Sequence, residues 1–175
     1  MGEHPISIRP ITRDDTPLIV QFRNNPAVRS NFIYQADLTE EDHLNWLKTR
    51  VETKSAAQFI IADPGGRDIG SVYLRDIDPV HRKAEFGIFI GVDEARGKGY
   101  GSQAARLILE YAFGTLGLNR VFLRALSGND GAIRSYEKAG FRREGLFRED
   151  VILHGRPVDI IFMSVLASEW GDRRD

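Results

Sequence analysis

"EARGKGYG" (Glu94–Gly101) sets glycines at every second position, 97, 99 and 101, with Arg96, Lys98 and Tyr100 beside them. Glycine inside an element usually costs stability, so such a cluster marks backbone that must turn tightly or admit a close neighbour. The flanks decide what kind of loop this is. Upstream, "KAEFGIFIGV" (Lys83–Val92) is a mostly apolar run, which reads as a central strand. Downstream, Ala104, Ala105, Ile108, Ala112 and Leu116 fall at helical spacing and Gly117 closes the run. A helix start presents unpaired N–H groups and a partial positive charge, so it binds anions. Glycines let an anion reach those groups without a Cβ in the way, and Arg96 and Lys98 add charge at the same place. A phosphate or pyrophosphate is the expected guest; a glycine-rich connection with surface charges is the plainer alternative. Neither familiar nucleotide motif fits. Lys98 is followed by Gly99 rather than Ser or Thr, and the glycine spacing breaks the dinucleotide fingerprint.

Working outward, "ISIRPI" (Ile6–Ile11) alternates as a first strand. Thr12 with Asp15, and Thr39 with Asp42, have the spacing of helix-capping pairs. Leu18, Ile19 and Phe22 follow the first pair, which opens a helix predicted to stop at Asn24–Pro26. Leu44, Leu47 and Val51 follow the second. "QFIIA", "DPGG" and "RDIGSVYL" give a hairpin signal. "RVFLRAL" (Arg120–Leu126) is a strand and "NDGAIRSYEKAG" (Asn129–Gly140) a short helix. The closing "LFREDVILHGRPVDIIFMSVL" reads as two long strands joined around His154–Pro157. The predicted order is β-α-α-β-β-β-α-β-α-β-β, one mixed α/β (α+β) domain over residues 1–175 with a core at 6–166 and "GDRRD" as a frayed tail.

A hydrophobic share of 42% and a charged share of 28% suit a globular core. The net charge of −1 gives no reason to expect nucleic acid or an acidic membrane as partner. Cysteine is absent, which excludes a thiolate nucleophile, a disulfide and any Cys-based metal site. The four histidines show no metal-ligand spacing, so no metal is predicted. No run approaches the roughly 20 apolar residues of a membrane span. A cytoplasmic domain is the expectation.

"RGKGYG" after an apolar strand resembles the acyl-CoA pyrophosphate loop of the GNAT superfamily of N-acetyltransferases. Downstream, "NDGAIRSYEKAGF" (Asn129–Phe141) resembles that superfamily's second cofactor motif, in the same order. The resemblance covers roughly residues 6 to 166 and implies a mixed sheet whose fourth and fifth strands splay apart to hold acetyl-CoA. It implies that the backbone of Ile88, Phe89 and Ile90 pairs with the pantetheine arm like an added strand. Backbone N–H groups of Arg96, Gly97, Lys98, Gly99, Tyr100 and Gly101 would hold the pyrophosphate, and Asn129 would reach the pantetheine from the other side.

Acetyl transfer to an amine moves two protons. An alkylammonium has a pKa near ~10 and no lone pair, so it must lose a proton before attack. The departing thiolate benefits from a donor. Without cysteine, direct attack by the amine is simpler than a covalent intermediate. Glu85 is the candidate base: it is an acid inside an apolar run, where burial is expected to raise its pKa. An ion pair with Arg82 or Lys83 is the competing reading. Tyr136 is the candidate acid, seven residues beyond Asn129 and so on the same face of that helix. Its plainer role is to close the core with Ala132 and Ile133.

Residues Glu85 to Leu166 resemble bacterial spermidine acetyltransferases. "FRNNPAVR" and "TEEDHLNWL" resemble acetyltransferases of nucleotide-linked amino sugars, with similar features in enzymes acting on ribosomal protein N-termini. A nucleotide-sugar pocket needs cations and an aromatic platform, for which Arg23, Arg29, His43 and Trp46 suit. The expected acceptor is therefore a nucleotide-linked amino sugar, with Arg29, His43, Trp46 and Asp150 as candidate contacts. A polyamine and a protein N-terminus are the alternatives, and a non-catalytic acyl-CoA sensor is the reading from another class. Asp150 and Asp159, in the last two strands, also fit an exposed hairpin face. The long final strands are compatible with a homodimer.

Overall fold

Alternation and β-branched residues give seven strands among the described residues: β1 (Ser7–Pro10), β2 (Ala57–Ala62), β3 (Asp68–Asp78), β4 (Lys83–Ile90), β5 (Arg120–Leu126), β6 (Arg142–Leu153) and β7 (Arg156–Leu166). The structure is a computed structural model describing residues 5–171; of the expected tail at 171–175, Gly171 ends a helix and 172–175 lie outside the described residues. The strands form one mixed sheet in the order β1-β2-β3-β4-β5-β7-β6. All neighbours run antiparallel except β4 and β5, which are parallel. That parallel pair holds only from Lys83–Glu85 against Arg120–Phe122. Beyond Glu85 and Phe122 the two strands part, while β4 stays bonded to β3 as far as Ile90. The sheet therefore opens at its centre, and the expected splay is present.

Among the described residues six α-helices flank the sheet: α1 (Thr16–Asn24), α2 (Pro26–Arg29), α3 (Glu40–Trp46), α4 (Tyr100–Glu110), α5 (Asp130–Ala139) and α6 (Ala167–Gly171). Both capping boxes form. Thr12 and Asp15 close a 3-10 turn ahead of α1, and Thr39 and Asp42 start α3. The helices α3 and α4 each run on through a π-helical turn, Leu47–Val51 and Tyr111–Thr115. Helix α4 buries Ala104, Ala105, Ile108 and Leu109 completely. Each fully buried Ile or Leu side chain contributes roughly 1.5–3 kcal/mol. That burial fixes the start of α4, and hence the glycine loop, against the sheet.

Two details differ from the sequence reading. The short helix α2, capped by the side chain of Asn25, and the closing helix α6 were not foreseen. Helix α3 is also turned relative to its apolar spacing: Leu44 is 40% exposed while His43 is buried. The imidazole is accepted inside because His43 Nδ1 shares a 2.9 Å hydrogen bond with Thr16 Oγ1.

Candidate active site

The gap between β4 and β5 leads into two cavities of about 470 and 550 Å³. Asn31, Phe32, Ile88, Phe89 and Tyr136 line both, so the cavities meet at these side chains. The larger holds the glycine loop, and the smaller lies under α1, α3 and the segment between α2 and α3.

On the loop side, Gly97 and Gly99 take φ of 76° and 79°. Left-handed backbone of that kind costs a residue with a Cβ roughly 1–2 kcal/mol. Gly99 is the N-cap of α4, and Gln103 is the first residue whose N–H reaches back to it, 3.3 Å from Gly99 O. The N–H groups of Tyr100, Gly101 and Ser102 are thus without a helical carbonyl. Of the residues expected at the cofactor, Ile88, Phe89, Ile90, Arg96, Gly97, Gly99, Tyr100, Gly101 and Asn129 all line this cavity. Lys98 does not, and is exposed. Arg96 is already engaged: Nη1 donates to Ile90 O at 3.2 Å and the guanidinium pairs with Asp93. Asn129 serves α5 as well, its side chain accepting from Ala132 N at 3.4 Å. A helix start stripped of side chains beside an open strand edge fits an extended chain ending in a pyrophosphate.

Tyr136 projects from α5 at the junction. Its ring meets Phe86 edge-on at 5.7 Å and Phe141 at 6.1 Å, which holds it in place. Among the described residues no hydrogen bond reaches its phenol oxygen. Burial, with a contribution from Tyr73, pushes the phenol well above its ordinary value. It is protonated throughout the working range and is a donor at the meeting point.

Glu85 lines the smaller cavity and is buried. Arg75 Nε donates to its Oε2 at 3.1 Å, and Arg124 Nε donates to its Oε1 at 2.9 Å. Burial pushes the Glu85 carboxyl up, but the hydrogen bonds and charges of Arg75 and Arg124 outweigh it and hold it below its ordinary value. This corrects the expected direction of its shift. The pairing partners also differ from the anticipated Arg82 or Lys83, because residues opposite in the sheet are closer than residues adjacent in the chain: Arg75 is the register partner of Glu85.

Of the four candidate acceptor contacts, His43 and Trp46 line the smaller cavity. Trp46 Nε1 donates to Gln58 Oε1 at 2.9 Å. Arg29 pairs with Asp37 and lines neither cavity. Asp150 is exposed on β6, where the register with β7 shifts between Phe147 and Val151. That irregularity is held by Asp159, whose Oδ1 accepts from Glu149 N at 2.7 Å. The turn residue His154 is exposed, and its Nε2 shares a 2.8 Å hydrogen bond with Gln35 Oε1. Tyr73, Arg75, Arg124 and the stretch Phe32–Tyr34 also line the smaller cavity and were not foreseen. Tyr73 and Arg75 alternate on one strand and so share a side of it, and the observed register sets them opposite Gly87 and Glu85. No group of three or more His, Cys, Asp or Glu among the described residues is placed to hold a metal, and no described helix is long and apolar enough to cross a membrane.

Comparison with known proteins agrees with this geometry. The spermidine N(1)-acetyltransferase of Vibrio cholerae is 29% identical over 97% of this chain and 98% of its own length. That of Escherichia coli is 30% identical over 95% and 89%. A putative ribosomal N-acetyltransferase of Bacillus subtilis is 39% identical over 58% of this chain and 55% of its own. The crystal structure of the Vibrio cholerae enzyme with CoA and spermine superposes with a TM-score of 0.87 at 28% identity, covering 94% of this chain and 97% of that one. These relatives back a polyamine acceptor better than the amino sugar expected from the first helices. Residues 6–142 match the profile of the acetyltransferase (GNAT) domain. With the glycine loop, the splayed strands and the Asn129–Phe141 motif all in place, the chain belongs to the GNAT family of acetyl-CoA-dependent N-acetyltransferases.

Proposed function

We propose that the acceptor is a small molecule whose primary amine enters the smaller cavity and attacks the acetyl carbonyl directly, beside Tyr136. The observation that carries this reading is the meeting of the two cavities at Tyr136. The amine nitrogen forms the new N–C bond, the C–S bond breaks, and the electron pair leaves on sulfur. A thiol has an unperturbed pKa near ~8.5, so full transfer from a phenol held above ~10 is uphill. Tyr136 therefore stabilises the departing sulfur by donating a hydrogen bond, and the proton shed by the attacking nitrogen passes to the thiolate, directly or through the Tyr136 oxygen, so that the products are the amide and the thiol. Glu85, held ionised by two arginines, is a poor sink for the amine proton. Its role is to fix Arg75 and Arg124 at the root of the cleft and to orient the acceptor.

Relatedness to the spermidine enzymes supports a polyamine as acceptor. Self-association through β6 is supported by its position at the sheet edge, by the exposure of Leu146, Phe147 and Ile152, and by the dodecameric Vibrio cholerae structure, similar with a TM-score of 0.82. The test of function is thiol release from acetyl-CoA with spermidine, a UDP-linked amino sugar and a short peptide. The chain has no cysteine and adds no thiol background. Release with one acceptor names its class. CoA binding with no release from any of them would favour a non-catalytic sensor.

A further inference from the structure

Arg23 puts a charge in the acceptor cavity that no carboxylate among the described residues answers. It projects from α1, is 9% exposed and lines the smaller cavity. Its Nη2 donates to Tyr34 O at 2.6 Å, and its guanidinium lies 3.5 Å from the centroid of the Phe32 ring. Its Nη1 is buried with no hydrogen-bond partner among the described residues. Nor does a described carboxylate balance it: burial disfavours its charge, the Tyr73 phenol favours it, and Arg29, another cation already paired with Asp37, opposes it more weakly. The acids facing the cavity are committed elsewhere. Glu85 serves Arg75 and Arg124, and Asp42 accepts from the amide and hydroxyl of Thr39 at 3.0 and 2.7 Å. His43 Nδ1 is held by Thr16, and burial keeps its imidazole below the ordinary value against a smaller opposing effect of Gln58. Three arginines thus face two carboxylates in the lining.

A guanidinium keeps its proton in proteins, so it cannot escape burial by neutralising. A buried cation without a counter-charge is costly, and a buried N–H without an acceptor adds to that cost. The face of Phe32 offsets part of the charge term, yet it accepts nothing from Nη1 in the guanidinium plane. An anion that arrives with the ligand would supply the missing partner.

We propose that Arg23 is an anion subsite of the acceptor cavity, and that the preferred acceptor is a primary amine that also carries a carboxylate or a phosphate. This rests on the acceptor reading of the smaller cavity given above and departs from a polyamine acceptor. A polyamine offers Arg23 no acceptor atom and brings several positive charges to a lining with excess positive charge. An amine with an anionic arm answers Nη1 while its nitrogen reaches the junction at Tyr136.

Titration calorimetry on the CoA-saturated protein tests this with matched pairs: glucosamine 6-phosphate against glucosamine, a UDP-linked amino sugar against the free sugar, and 6-aminohexanoate against hexylamine, with spermidine alongside. One anionic member is expected to bind about 30-fold more tightly than its counterpart without the anionic group, the scale of a charge-assisted hydrogen bond. The pair that shows it separates phosphate from carboxylate. The difference disappears in Arg23→Gln and is partly kept in Arg23→Lys, with CoA affinity unchanged in both. If Arg23→Gln fails to fold by circular dichroism, the wild-type pairs and Arg23→Lys decide. No preference within any pair, a preference for spermidine, or a preference that survives in Arg23→Gln overturns the subsite. Thiol release on the same panel is scored separately. Preferential binding without turnover sinks the catalytic reading and leaves the subsite, while turnover without preference does the reverse.

Discussion

Arg124 donates from Nε to Glu85 Oε1 at 2.9 Å across the point where β4 and β5 stop pairing. Arg75 holds the same carboxylate from β3, so one glutamate ties three strands together at the root of the cleft. Glu85→Gln keeps the shape and removes the charge, leaving two half-buried arginines unanswered. Breaking a buried pair costs about 3–5 kcal/mol, and the exposure of Arg75 and Arg124 reduces this to roughly 1–3. The acceptor kcat/KM is expected to fall about 10–100-fold through loss of positioning. The rising limb of its pH profile stays where it is in the wild type, because Glu85 is ionised throughout and is not the titrating group. A limb that moves or vanishes in Glu85→Gln would restore Glu85 as the base.

Acid should unfold this protein through the same kind of pair. Glu85 is held below its ordinary value of 4.5 by its arginines despite burial, and Asp15 is held below 3.8, chiefly by its hydrogen bond from Arg9. Glu144 is lowered to about 2, chiefly by Arg120. A carboxylate whose pKa is lower folded than unfolded stabilises the fold above the unfolded value, and that contribution is lost as pH falls through the folded value. Thermal melts are expected to be flat from about pH 7 to pH 5 and to fall steadily below about pH 4.5. The midpoint in Arg120→Met should depend less on pH at the acid end. A midpoint that rises on acidification contradicts the assignment.

Gly87 has the shape of the acceptor cavity resting on it. Tyr73 is its register partner, and a Cβ at residue 87 would lie 2.2 Å from Tyr73 Cζ. Gly87→Ala forces that ring, which meets Trp46 edge-on at 6.4 Å, out of position. Overpacking of this sort costs about 1–3 kcal/mol. The expected kinetic signature is a raised acceptor KM with CoA affinity unchanged, since Gly87 and Tyr73 line only the smaller cavity. Equal losses on both sides would show that the cavities are not separable.

The glycine loop should show the opposite signature. Gly99→Ala places a Cβ at φ 79°, where space is open but the backbone is strained. About 1–2 kcal/mol of strain is expected to appear as a roughly tenfold weaker CoA Kd with acceptor KM little changed. An unchanged CoA Kd would mean that the loop conformation is not what holds the cofactor.

Much of this was legible in the sequence, for reasons specific to each element. Strand β5 was read with its final bounds because its apolar run is closed by turn residues on both sides. Both capping boxes were visible because the signal is local, three residues apart. Most of the glycine-loop cavity was legible for the same reason: much of its lining comes from two continuous stretches, Ile88–Ser102 and Asn129–Lys138, while Ala27, Val28, Asn31 and Phe32 reach it from elsewhere in the chain. The acceptor side is built from separate elements brought together by the sheet. Arg75 reaches Glu85 through a register that shifts between Arg75 and Asp78, and no counting along the chain passes through such a bulge. The sign of the Glu85 shift failed with it, because burial alone was visible and its partners were not. Arg29 and Asp150 were placed at the acceptor by charge, and the fold spends the first on Asp37 and leaves the second in solvent.

The central claim is that acetyl transfer takes place beside Tyr136, where the two cavities meet. Its most direct test is thiol release by wild type and Tyr136→Phe, alongside the CoA Kd of each. Loss of the phenol donor at the junction is expected to lower kcat by about 10²–10³-fold while CoA binding stays within about twofold. A Tyr136→Phe enzyme with undiminished kcat would place the chemistry elsewhere in the molecule.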